Sequence, residues 1–136
     1  MEKDELNKDY EDWYIVFAKS DVRHWVFRFL DPCFQHCYAV KESPGGQFWI
    51  IVNSRSTYTD ITIKPKLDFP HIRLLCPDDV ILPIRAKINA DSYKWHFGLN
   101  TCVDVCKGVI GLNNWRIFTP YQLYRWINGH QTFVNR

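Results

Sequence analysis

The stretch QHCYAVKESPGGQFWIIVN, residues 35–53, limits what this chain can fold into more than any other. Two runs rich in β-branched and aromatic residues, 35–41 and 47–53, flank ESPGG. Pro-Gly-Gly between such runs predicts a β-hairpin. A lone hairpin is marginal in water, so it needs further strands and a covering layer. The chain supplies both. DWYIVFA (12–18), TDITIKPK (59–66), HIRLLC (71–76) and VILPIRAKI (80–88) read as strands. Pro65 and Pro83 put their strands at edges or in irregular pairing. NNWRIF (113–118) reads as a further short strand.

Helical spacing occurs in three places. In SDVRHWVFRFL (20–30), Ser20 or Asp21 can cap a helix whose face carries Val22, Trp25, Val26 and Phe29. Its β-branched and aromatic content argues for a strand, but Asp31-Pro32 suits the end of a short helix. In GLNTCVDVCKGVIGL (98–112), Asn100 or Thr101 can cap the helix and Gly111 can end it. Cys102, Val103, Cys106, Val109 and Ile110 form its apolar face. In FTPYQLYRWING, Thr119 caps, Pro120 takes the first helical position and Asn128-Gly129 stops the helix. The expected fold is α+β: a central antiparallel sheet with the Cys-bearing helix and a C-terminal helix packed on it. Residues 1–11 read as a charged lead-in, and 12–136 as a single domain.

Composition narrows the function. In 136 residues, 46% are hydrophobic, enough for a core without disulfide staples. The net charge is +2 with no basic run, so no phosphate-tracking surface for nucleic acid is indicated. FWIIV and VILPI are far shorter than the ~20 apolar residues of a membrane span. MEKDELNKDYEDW has no apolar core of a secretory signal. Five Cys cannot all pair within one chain, and reduced thiols are the expectation.

One constellation carries chemistry. Centring the hairpin between Pro44 and Gly45 sets His36 opposite Asn53, where an imidazole and an amide oxygen can hydrogen-bond. That is the base-and-orienter half of a catalytic triad. A slip of one residue would put Asn53 on the wrong face. Cys102, in the first turn of its helix, gains thiolate character from unpaired N–H groups and the helix dipole. The same N–H groups can hold an oxyanion. Cys106 lies one turn deeper, so Cys102 is the better nucleophile.

Other roles compete for these residues. Cys102 could be a small buried hydrophobe and His36 a satisfied core or rim histidine. Cys37 alternates to the other face from His36 and reads as packing. Cys33, His36, Cys37, Cys102 and Cys106 also offer zinc-ligand types. The Cys33–Cys37 segment lacks a knuckle-like Gly pattern, so no metal and no cofactor are expected. His24, His71 and His130 have no nameable partner, while Trp95, His96 and Phe97 could line a cleft or cover the core. Tyr121, Tyr124, Trp126 and Trp115 read as packing for the last helix.

A His strand, a neighbouring strand with a polar orienter, and a later helix starting at Cys resemble a permuted papain-like domain. In NlpC-type cell-wall peptidases the Cys helix precedes the His strands. In the permuted branch, with the lecithin:retinol acyltransferase-like proteins, the His strand comes first. FQHCYAV, FWIIVNS, NTCVDVCKGVIGL and WRIFTPYQLYRWI also resemble small uncharacterised proteins of tailed phages and prophages. That likeness runs from about residue 13 onward. It implies Cys102 as nucleophile, His36 as base and Asn53 as orienter. The acyltransferase branch usually begins its Cys helix Asn-Cys-Glu-His, whereas this chain has Asn-Thr-Cys-Val-Asp.

The resemblance implies a cysteine hydrolase, peptidase-like, acting on an amide, ester or thioester. Its peptide or acyl substrate would come from the bacterial cell wall or a host protein. The location implied is the bacterial host cytoplasm or the virion. The competing expectation is a non-enzymatic phage protein on a hydrolase-derived fold, a virion component or host-interaction factor whose thiols are inert.

Overall fold

The computed structural model describes residues 10–19, 34–54, 58–87, 101–112, 114 and 116–134. Its elements run β1 (Tyr10–Ala18), β2 (His36–Glu42), β3 (Phe48–Ser54), β4 (Thr59–Pro65), α1 (Ile72–Leu75), β5 (Val80–Lys87), α2 (Cys102–Ile110) and α3 (Pro120–Val134). The strands form one antiparallel sheet in the order β4-β3-β2-β1-β5. The expected helix over 20–30, Cys33, and the connection 89–99 lie outside the described residues.

The sheet is covered on both faces at its centre, which explains why β1 reads as nearly continuous apolar sequence. Trp13, Ile15 and Phe17 face one side with Cys37 and Ala39, under Val103, Cys106 and Ile110 of α2 and Leu123 and Ile127 of α3. Val16, Val40 and Trp49 face the other side, where Phe69, Ile72 and Leu75 close over them. A fully buried Phe17 or Ile15 contributes roughly 1.5–3 kcal/mol through its burial. Of the aromatic residues read as packing for the last helix, Tyr124 and Trp126 pack against the core, with Tyr124 5.7 Å from Phe17 and 4.7 Å from Phe34 between ring centroids; Tyr121 is exposed, and Trp115 lies outside the described residues.

Both proline-bearing strands are end strands of the sheet that the described residues form. β1 begins at Tyr10, inside the stretch read as a lead-in, because β5 is long enough to pair it: Tyr10 is level with Lys87 and Asp12 with Arg85. The Asp12–Arg85 ion pair, at 3.3 Å, reinforces that end.

Four expectations are corrected. HIRLLC is not a strand. His71 to Cys76 coil into α1, with Leu74 N–H and Cys76 N–H bonded to the carbonyls of His71 and Ile72. Pro70 and Pro77 bracket the segment, and Ile72 and Leu75 both reach the core from one turn. In NNWRIF the described residues form a turn. The Asn114 side chain accepts Arg116 N–H at 3.0 Å, a local bond that competes with strand pairing.

The third correction concerns α3, which continues through Asn128-Gly129 to Val134. Gly129 has no positive φ, and a helical Gly costs only about 1 kcal/mol relative to Ala. The fourth concerns the hairpin. Ser43, Pro44, Gly45 and Gly46 form a turn closed by Gly46 N–H to Ser43 O, with Gly45 at φ 89°. That is the type II geometry that Pro followed by Gly favours. Gly46, at φ 71°, and Gln47 then carry the chain on before Phe48 pairs with Ser43. The register is Ala39 with Val52 and Val40 with Ile51, so Asn53 is level with Tyr38, two residues from His36.

Candidate functional site

A slip of two residues leaves side chains on the same face, so the register correction does not separate His36 from Asn53. They become diagonal neighbours across the strand pair. His36 Nε2 lies 2.7 Å from Asn53 Oδ1. An amide oxygen only accepts, so Nε2 carries the proton and donates it. Nδ1 is the ring nitrogen left for another partner. Both residues are half-buried.

Cys102 is the first residue of α2. Thr101 caps the helix: its Oγ1 accepts Asp104 N–H at 3.2 Å and donates to Asp104 Oδ2 at 2.9 Å. Gly111, left-handed at φ 70°, ends it. Both caps stand where the sequence placed them, with Thr101 rather than Asn100 at the start. Val103, Cys106 and Ile110 anchor α2 on the sheet over Cys37 and Ala39. Lys107, also buried, donates to Ile117 O at 2.8 Å and ties the following turn to the helix.

The anchoring brings the Cys102 thiol against the start of β2. Its pKa is pulled down to about 4. The hydrogen bond from Cys37 is the main cause, and burial opposes it. A hydrogen bond from His36, the Cys37 backbone N–H and the His36 charge add to the lowering. Cys37 is pushed up in turn, through its hydrogen bonds to Cys102 and Cys106 and through burial. The cluster therefore has one thiol that ionises and one that keeps its proton to support it.

Cys37 was read as packing, and its role beside Cys102 was missed. It is fully buried in the core, yet it is also the first hydrogen-bond partner of the candidate nucleophile. Alternation along β2 held the clue: the residue next to His36 must face the helix layer. Cys106 is buried one turn deeper, as expected.

On the opposite face the Tyr38 ring lies 6.2 Å from that of His36. The Tyr38 hydroxyl donates to Asp79 Oδ2 at 3.1 Å and lies 3.1 Å from Cys76 Sγ. Burial pushes both Tyr38 and Cys76 up, and the Asp79 charge adds to each. This second cluster holds its protons.

No group of three or more His, Cys, Asp or Glu side chains among the described residues is arranged to hold a metal ion. Among the described residues, no helix is long and apolar enough to cross a membrane. A groove of about 370 Å³ lies at the far end of β1 and β2, lined by Glu11, Asp12, Tyr14, Lys41 and Glu42, away from Cys102. No family model, no curated protein and no solved structure matches the chain.

Proposed function

We propose that the protein is a thiol hydrolase or transferase of the permuted papain-like kind, with Cys102 as nucleophile, His36 as base and Asn53 as orienter. The observation that carries this reading is the 2.7 Å bond from His36 Nε2 to Asn53 Oδ1 beside a Cys102 thiol hydrogen-bonded to the same imidazole. The bond sets the proton on Nε2 and leaves Nδ1 as the ring nitrogen for the sulfur. The Cys102 thiolate attacks an amide, ester or thioester carbonyl and forms an acyl-enzyme. His36 delivers its proton to the leaving amine, alcohol or thiol. A water or acceptor then gives up a proton to His36 and takes the acyl group, which frees the thiolate. Backbone N–H groups at the start of α2 are the donors available to the oxyanion. A thiolate paired with an imidazole supports a carbonyl substrate in general; a cell-wall or host peptide as its source rests on the sequence resemblance alone.

The test is iodoacetamide labelling from pH 5 to 9, resolved by residue with mass spectrometry, on wild type and His36→Ala. A free thiol, with a pKa near 8.5, loses roughly tenfold in thiolate per pH unit below it. Cys102 should label at a nearly constant rate across that range in wild type. In His36→Ala the rate should fall toward the acid end. A steep wild-type profile, or one unchanged by His36→Ala, would sink the catalytic reading.

A further inference from the structure

We propose that Cys102 is a site of oxidation by hydroperoxides, and that Cys37 is the thiol that resolves it into a reversible disulfide. The proposal uses the same thiol as the catalytic reading but needs no acyl transfer. Three thiols meet where α2 lies on β2. Cys37 and Cys106 are fully buried in one core cluster, and Cys102 packs against that cluster from the first position of the helix. Of the three, Cys102 alone is partly open to solvent. Cys37 hydrogen-bonds to Cys102 and also to Cys106. A peroxide therefore meets Cys102 first, and a second thiol already stands behind it.

The chemistry balances with one oxidant and one reductant. The Cys102 thiolate attacks the terminal oxygen of a hydroperoxide. The O–O bond breaks, the sulfur becomes a sulfenic acid, and the departing alkoxide or hydroxide takes a proton from water. The Cys37 sulfur then attacks the Cys102 sulfur. The S–O bond breaks, the S–S bond forms, and the Cys37 proton leaves with the hydroxide as water. A dithiol reductant restores both thiols by exchange and is itself oxidised to a disulfide. The first step also prepares the second. It ends the thiolate's hold on the Cys37 proton, which is the first of the causes that keep Cys37 protonated.

Geometry selects Cys37 over Cys106. Cys102 and Cys106 stand four residues apart on one helix, where Cβ atoms are about 5–6 Å apart. A disulfide needs about 3.5–4.5 Å, so bridging that pair would distort α2. Cys37 comes from the facing strand, and its thiol already meets that of Cys102. Because Cys102 opens α2, closing the bridge takes a shift confined to the first turn, where helices fray most readily. The bridge removes the nucleophile reversibly and shields it from irreversible oxidation to the sulfinic acid.

Hydrogen peroxide at pH 7 on the full chain tests this, with intact mass and peptide mapping as readouts and circular dichroism to verify folding. Wild type should lose two hydrogens and retain no oxygen. The map should join the peptides of Cys37 and Cys102, and dithiothreitol should undo the bridge. Cys37→Ser should instead hold a sulfenic acid at Cys102 and give roughly tenfold more dimedone adduct there than wild type. Cys106→Ala should leave the bridge intact. If the variants do not fold, the wild-type map carries the test by itself. A wild-type Cys102 that stays unoxidised, stops at a dimedone-reactive or sulfinic state, or bridges to any cysteine other than Cys37 overturns the proposal. An oxidised Cys102 without the bridge leaves the catalytic reading standing. A bridge that forms while His36→Ala leaves the labelling profile unchanged sinks that reading and keeps this one.

Discussion

Cys102 and Cys76 lie on opposite sides of the same β-sheet, and each has a hydrogen-bonding neighbour from β2. Cys37 serves Cys102, and Tyr38 serves Cys76. The two thiols move in opposite directions from their ordinary value. Cys102 falls to about 4. Cys76 rises, because burial dominates and the Asp79 carboxylate repels a second negative charge. Burial opposes ionisation at both sites, so burial is not what separates them. Cys102 sits among donors and beside an imidazole that can carry a positive charge. Cys76 shares its donor with an anion. The donors separate them: the Cys37 hydrogen bond, with His36 behind it, outweighs burial at Cys102, whereas the Tyr38 bond to Cys76 does not, and the charge of the third group adds to each difference.

The comparison predicts a large difference in chemistry. At pH 6 Cys102 is almost wholly thiolate, whereas a thiol with a pKa above 8.5 is thiolate to less than about 1 part in 300. Alkylation of the native protein should therefore proceed on Cys102 at least two decades faster than on Cys76, read as separate peptides in one sample. In denaturant the two should react at similar rates. A native ratio near one would break the comparison.

A second prediction orders the causes. The Cys37 hydrogen bond outranks that of His36 in lowering Cys102. Cys37→Ala should raise the midpoint of Cys102 labelling more than His36→Ala does. Cys37→Ser, which keeps a donor in place, should restore most of the lowering. The pH–labelling profile of the three variants reads this directly. A larger effect from His36→Ala would make the ion pair the main cause instead.

Tyr38→Phe probes the other side. It removes the hydroxyl shared by Asp79 and Cys76 and should destabilise the fold by about 1–3 kcal/mol, as a buried polar group loses its partner. Urea denaturation measures that loss. The Cys102 profile should stay in place, because Tyr38 does not touch its thiol. Displacement of that profile would show that the two clusters communicate through His36, whose ring lies against Tyr38.

How legible was this in the sequence? The strands of the sheet centre, the cap at Thr101 and the stop at Gly111 were readable, because period, cap chemistry and glycine are local signals. The His36–Asn53 contact was readable for a weaker reason. The turn was centred wrongly, but by an even number of residues, so the facing survived. HIRLLC was misread because four apolar residues can fill a core from a helical turn as well as from a strand. Asn128-Gly129 was misread because a helix end needs a left-handed residue, and Gly permits that conformation without requiring it. Cys37 was misjudged because packing and hydrogen bonding were treated as alternatives, whereas its thiol does both.

The smallest effect bears on what the helix end itself supplies. Thr101 satisfies Asp104 N–H and leaves the thiol untouched. Thr119 does the same for Gln122 N–H on α3, while Gln122 Oε1 accepts Phe118 N–H and Thr119 N–H. Thr101→Ala and Thr119→Ala should each cost about 1 kcal/mol, a typical N-cap loss, seen as comparable drops in melting temperature. Only Thr101→Ala frays the turn that holds Cys102, so only it should slow Cys102 labelling at pH 5, and by a few-fold. If both variants melt early and label alike, the helix terminus contributes stability alone. The low pKa would then belong entirely to the side chains and backbone of β2.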